Sequence, residues 1–285
     1  MIRQILFPTD FSASANHAFP SALRLADYFN AEITTIHSYI EPTVSAGYLT
    51  HSIKEILESI KLEEFEIFRD KLPLLHTMAE DMGLEHIEIR HAVSPGRDII
   101  QSIVQAAEKE KGDLIIMGTS GATGIGELFK GSVASEILEN APCPVLVVPE
   151  TVALKPEILR VAYALGTGHQ EPGAQAWMRQ FAVGLGATLV WINQPDIGIE
   201  DFSAFQHTQT DISVNQQFAF CASWEEEEDL VRFLQQESAD LLALQVQRTG
   251  FFQELFQQNF GKHLAKVLPF PILGIPDAFL KGHAV

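Results

Sequence analysis

Two short stretches of this chain have the composition to hold an anion. They are Met117-Gly118-Thr119-Ser120-Gly121 and, after nine intervening residues, Gly131-Ser132-Val133. An apolar run, Asp113-Leu114-Ile115-Ile116-Met117, leads in and reads as a buried strand. Val133-Ala134-Ser135-Glu136-Ile137-Leu138 leads out and reads as a helix. A glycine-rich turn between a strand and a helix N-terminus lets backbone N–H groups approach a phosphate with no side chain in the way, and the helix dipole favours negative charge there. The predicted chemistry is phosphate binding, in neither of two better-known forms. Gly126 and Gly131 have the spacing of a Walker A loop, but Ser132 stands where lysine is required. Gly124-Ile125-Gly126 lacks the third glycine of a dinucleotide fingerprint. Lys130 reads either as a phosphate contact or as a solvated surface lysine.

A second group of chemically able residues ends the first strand: Pro8-Thr9-Asp10-Phe11-Ser12. Asp10 could accept hydrogen bonds from a sugar or an amino group; equally, Asp10 or Ser12 could cap the helix that follows. The other reactive side chains form no recognisable constellation. Among the ten histidines no two stand at i, i+4, so no metal site is expected. Cys143 and Cys221 make neither a disulfide framework nor a metal cluster, and Cys143, between two prolines, reads as a small buried residue. The acidic run Glu225–Asp229 reads as the first turn of a helix, favoured by the dipole, or alternatively as a patch for a basic partner or divalent cation. No Gly-x-Ser-x-Gly elbow and no Ser–His–Asp arrangement is found, so no catalytic residue is assigned.

The elements that must position these residues alternate between strand and helix. In the first half, Ile2–Phe7, Glu32–His37, His86–Ala92, Leu114–Met117 and Pro144–Val148 read as strands. Ser14–Asn30 and Ile53–Met82 read as helices, with Pro20 as a point of kinking and Pro73 as a point of breaking or kinking. A further helix is expected from Arg97 to Lys109, opened by Ser94-Pro95-Gly96. The second half repeats the ending at a constant offset of 127 residues. Asp113–Ile116 answers to Asp240–Ala243, Gly126–Lys130 to Gln253–Gln257, and Pro144–Pro149 to Pro271–Pro276. Leu159–Leu165, Ala187–Asn193 and Gln217–Cys221 complete the repeated strands, Glu150–Glu157 reads as a linker, and Asp277–Val285 as a tail. The fold class expected is α/β: two tandem doubly wound domains, 1–149 and 158–276, each a five-stranded, mostly parallel sheet with helices on both faces. In the second copy Gly118 becomes Gln245, Gly121 becomes Arg248, Gly131 becomes Gln258 and Ser132 becomes Asn259. The scaffold persists without the residues that allow close approach to a phosphate.

The net charge of −18 is spread over the chain, with 11 basic and 22 acidic residues up to Glu150 and 8 and 15 after it. Such a chain repels duplex DNA and anionic lipid, so neither nucleic acid nor membrane is an expected partner. With no leader-like segment and no run of about 18 apolar residues, a cytoplasmic protein is the expectation.

Ile5–Ser12, the turn Met117–Gly121, Gly131-Ser132-Val133 and Pro144–Pro149 resemble the universal stress protein family, in order, over residues 1–149. The second half resembles the degenerate copy of tandem members. The resemblance implies an adenine-nucleotide-binding stress-response protein: ATP, AMP or ADP as ligand, with Mg2+ held mainly by the phosphates. It implies that Pro8, Thr9 and Asp10 line the nucleoside end and that Ser38 stands where adenine is touched. Met117, Gly118, Thr119 and Gly121 would face ribose and phosphates, and Gly131, Ser132 and Val133 would bind phosphate. Ala92 and Val93 would wall the base or serve only as core. It also implies that Pro144–Val148 pairs antiparallel with Pro271–Ile275, making an intramolecular pseudo-dimer. Further homodimerisation and the identity of a protein partner stay open. Two other readings remain: a slow ATPase or nucleotidyl or phosphoryl transferase, and a nucleotide-free interaction protein.

Overall fold

The structure is a computed structural model, describing residues 2–40, 51–96, 98–119, 133–152, 155–165, 172–193, 205–206, 213–221, 227–246 and 270–282. The first half runs β1 (Gln4–Pro8), α1 (Ala13–Phe29), β2 (Glu32–Ile40), α2 (His51–Asp81), β3 (Ile89–Gly96), α3 (Ile99–Lys109), β4 (Leu114–Thr119), α4 (Val133–Asn140) and β5 (Val145–Pro149). The second runs β6 (Arg160–Leu165), α5 (Pro172–Leu185), β7 (Thr188–Asn193), β8 (Gln216–Phe220), α6 (Glu227–Gln236), β9 (Leu241–Val246), β10 (Ile272–Pro276) and α7 (Asp277–Gly282).

The ten strands form one sheet in the order β3-β2-β1-β4-β5-β10-β9-β6-β7-β8. Each half has the same internal order, and all strands within a half run parallel. The two halves meet at the expected antiparallel pair, where Ile272 faces Val147, Leu273 faces Leu146 and Gly274 faces Val145. Central parallel strands are covered on both faces, which explains their unbroken apolar sequences. Ile5 and Phe7 pack under α1 while Leu6 joins the core on the opposite face, and all three are fully buried. The core on the α1 and α5 face takes residues from both halves, among them Phe19, Leu146, Tyr163, Trp191 and Leu273.

The repeat is legible at single residues. Asp113 Oδ2 accepts hydrogen bonds from the N–H groups of Arg3 (2.7 Å) and Gln4 (3.0 Å), tying the start of β4 to the start of β1. Asp240 Oδ2 does the same for Leu159 (2.8 Å) and Arg160 (3.0 Å). Arg3 and Leu159 are 156 positions apart, whereas Asp113 and Asp240 are 127 apart. The second half is therefore shorter between its first and fourth strands, the interval that in the first half contains the long helix α2.

Three expectations are corrected. Ser94, Pro95 and Gly96 do not open a helix; they continue β3, paired with Ser38, Tyr39 and Ile40. Because β3 is the outer strand, a proline there interrupts no inner ladder. The helix begins at Ile99, capped by Asp98, whose side chain accepts from Gln101 N–H at 2.7 Å. β3 accordingly spans Ile89–Gly96, so Ala92 and Val93 lie mid-strand and do not end it. The C-terminal segment is no simple tail: α7 continues directly from β10, and Leu280 enters the core. The Glu150–Glu157 segment is anchored: His17 Nε2 lies 2.7 Å from Val152 O, the Tyr28 hydroxyl donates to Pro156 O at 3.1 Å, and Lys155 pairs with Asp240. Pro20 and Pro73 both sit inside helices that continue through them.

Candidate functional site

In the first half the strand order reverses between β1 and β4: the chain moves outward through β2 and β3, then returns to the other side of β1. The carboxyl ends of strands at such a reversal leave a crevice where ligands bind. Ile5 pairs with Leu114 and Leu6 with Ile115, and extending that register brings Pro8 level with Met117. The two sequence motifs thus converge at one end of one sheet.

β1 runs into a tightly held turn. Thr9 N–H donates to Ile36 O at 2.9 Å, and His37 Nδ1 lies 3.2 Å from Thr9 O, so the chain leaving β1 is clasped to β2. Thr9 Oγ1 accepts from Phe11 N–H at 3.0 Å, and Asp10 Oδ1 accepts from Ser12 N–H at 2.9 Å. These bonds hold Phe11 at φ 58°, a left-handed conformation a non-glycine residue adopts only when its surroundings require it. Ser12 is the N-cap of α1 and accepts from Ala15 N–H at 3.3 Å. The capping role therefore falls to Ser12, while Asp10 fixes the turn before it and stays exposed. Phe11, His37 and Phe68 of α2 form a ring cluster beneath this turn, with His37 stacked on Phe68 at 5.5 Å.

Met117 and Thr119 are buried at the end of β4. Gly118 between them has a reason that sequence reading missed. A Cβ there would overlap the carbonyl of Ser14 and crowd Ala15 N, which are helix backbone and cannot swing away. Glycine is required for the first turn of α1 to lie against β4, whatever else the site holds. In the second half the corresponding Gln245 is buried, and its Nε2 donates to Asp277 Oδ1 at 3.1 Å. A side-chain bridge to the start of α7 occupies the equivalent level of β9.

Two buried polar atoms lack a hydrogen-bond partner among the described residues: Ser38 Oγ near the end of β2 and Asn16 Oδ1 in the first turns of α1. Unsatisfied buried polar atoms are uncommon, and at a strand-end crevice each is a ready contact for a ligand. Val133 begins α4 and is partly exposed. Gly121, Lys130, Gly131 and Ser132 lie outside the described residues, as do Arg248, Gln258 and Asn259 of the repeat. The acidic run is described only from Glu227, where α6 starts. No helix among the described residues is long and apolar enough to cross a membrane.

Residues 1–149 match the model of the Universal stress protein family. A universal stress protein of Methanocaldococcus jannaschii is 35% identical over 149 residues, covering 52% of this chain and 82% of that protein. A universal stress protein of Thermus aquaticus, named for its position in the QAH/OAS sulfhydrylase 3' region, is 34% identical over 148 residues, covering 52% and 99%. The solved structure of a universal stress protein from Archaeoglobus fulgidus superposes with a TM-score of 0.67 over 96% of both chains at 14% identity, a likeness of fold across both halves.

Proposed function

The chain belongs to the universal stress protein family, and from that premise we propose that its first half binds an adenine nucleotide and that the protein acts as a nucleotide-dependent regulatory module. The observation that carries the proposal is the convergence of Pro8–Asp10 with Met117–Thr119 at the strand-order reversal, beside the unpartnered Ser38 Oγ. The residues present fit such a ligand. Ser38 Oγ offers a donor and an acceptor to a base edge. Asp10, exposed and oriented by its bond to Ser12 N–H, suits a ribose hydroxyl. Gly118 lets the first turn of α1, with its N-terminal end, lie against the end of β4 beside the crevice. Phosphates would be held by backbone N–H groups of the Gly121 and Gly131–Val133 segments, with the Ser132 hydroxyl. Mg2+ would come with the phosphates, as is usual for a cation that keeps most of its waters. The domain reading, 1–149 for the binding unit and 158–276 for a degenerate copy, accords with the bridged Gln245 in the second half.

The test starts with the purified chain: denature it, analyse the released nucleotide, then titrate refolded protein with ATP–Mg and follow ADP. Retained or titratable nucleotide without turnover is the expected result; steady ADP release favours the ATPase reading instead. Ser38→Val should weaken binding by about 1–2 kcal/mol, roughly fivefold to thirtyfold in Kd, with the fold intact. Unchanged affinity in both Ser38→Val and Asp10→Ala would remove the site from this end of the sheet. Gly118 is unsuited to this test, because any side chain there disturbs α1.

A further inference from the structure

Away from the strand-end crevice, α2 and β3 bring together two histidines that sequence spacing keeps 15 positions apart. His76 Nε2 and His91 Nε2 lie 3.2 Å from each other, with the rings nearly perpendicular at 83°. We propose that His76 and His91 form a two-nitrogen site for a divalent transition metal, Zn2+ in the first instance, completed by water and fastening α2 to β3.

Thr35 is fully buried on β2 and is the register partner of His91. Its hydroxyl lies 3.4 Å from Arg90 O and 2.8 Å from His91 Nδ1, so in the tautomer with the proton on Nδ1 the hydroxyl oxygen accepts from the ring. That tautomer leaves the Nε2 lone pair on the side of His76, 3.2 Å away. Metal-bound imidazoles are held in this way, one nitrogen donating to an oxygen while the other ligates. The spacing agrees as well. Two Zn–N bonds of about 2.0–2.1 Å at a tetrahedral angle place the nitrogens about 3.3 Å apart. Imidazole pairs suit Zn2+, Ni2+ and Cu2+ and not Mg2+ or Ca2+, which require oxygen ligands.

The surroundings favour a cation. The Arg90 guanidinium on the same strand is engaged by Glu32 and Glu88, and the chain as a whole is strongly acidic. Burial, with His76 adding to it, lowers the pKa of His91, which keeps it neutral and able to ligate. Among the described residues no third His, Cys, Asp or Glu completes a cluster, and water is proposed for the remaining positions. The pair also adjoins the nucleotide end. His91 meets the edge of Phe68, Phe68 stacks on His37, and His37 reaches Thr9 O. The metal site stands or falls independently of the nucleotide proposal.

The full-length chain, free of any histidine tag and stripped with a chelator, is titrated with Zn2+ by calorimetry. One ion per chain is expected. His76→Gln and His91→Gln should each weaken it by about tenfold or more, and Thr35→Val, which frees the His91 tautomer, by about tenfold. His86→Gln, removed from the pair and bonded to Asp27, should leave it unchanged. In the wild-type chain, imidazole nitrogen resonances of His76 and His91 should move together on adding Zn2+ while that of His86 stays. Absence of binding, affinity equal in wild type and His91→Gln, or resonance shifts confined to other histidines would reduce the pair to a plain imidazole hydrogen bond and overturn the proposal.

Discussion

At the scale of single residues, two aspartates do the same task in the two halves. Asp113 and Asp240 each gather two backbone N–H groups from the start of the neighbouring strand. Asp240 is the more deeply buried and also holds Lys155. Asp240→Ala should therefore cost about 2–3 kcal/mol, and Asp113→Ala less, in chemical denaturation. Equal, negligible losses would show that strand pairing alone sets the register. The sequence repeat Asp-Leu-Ile-Ile and Asp-Leu-Leu-Ala displayed both residues, but only the fold displays what they bind. The His76 and His91 pair was hidden for a related reason: a helix and a strand bring them together, and spacing rules detect only ligands on one element.

At the scale of elements, the contact between α1 and β4 determines how open the crevice can be. Gly118 lets the first turn of α1 rest on the end of β4, with Ser12 capping that turn and Asn30 closing the helix at φ 50°. Gly118→Ala should destabilise the protein by about 3 kcal/mol, the upper end of overpacking costs, because the obstructing atoms are backbone. The expected signature is a lowered Tm with or without nucleotide. A Tm unchanged from wild type would show that α1 can withdraw freely. Much of this level was readable beforehand. Every expected strand exists, since apolar runs, alternation with polar residues and the repeat carried the signal. The boundaries moved where local signals conflict. Ser94-Pro95-Gly96 looks like a helix start, yet at a sheet edge the same residues extend a strand, and edge position is decided by the whole sheet.

At the scale of the whole molecule, β5 and β10 turn two five-stranded sheets into one, and the join is close-packed. A Cβ on Gly274 would overlap Leu138 of α4 and Val246 of β9, so this glycine lets a helix of one half rest on a strand of the other. Gly274→Val should cost about 1–3 kcal/mol while unfolding remains a single transition, since the core runs across the join. Cys143 provides a probe. Burial, and after it the Asp113 carboxylate, pushes its thiol up to about 12. At pH 8 it is protonated in the native state, and labelling by a thiol reagent should keep pace with global unfolding in a Cys221→Ser background; fast labelling of native protein would place an opening motion at β5. The antiparallel pairing itself was expected from family resemblance, whereas the packing around Gly274 was not, because the repeat has Val147 at the corresponding position and nothing in the sequence marks which helix lies above it.

The join has a further meaning for how such a protein can be controlled. Separate subunits meeting through an edge strand part on dilution, and their pairing follows expression level. Here the partner strand is tethered, and its effective concentration does not fall however scarce the protein becomes. Stoichiometry is fixed at one half that carries the Gly118, Gly121 and Gly131 motif to one half that lacks it in every molecule. The abundance of the protein therefore does not decide whether the two halves are assembled.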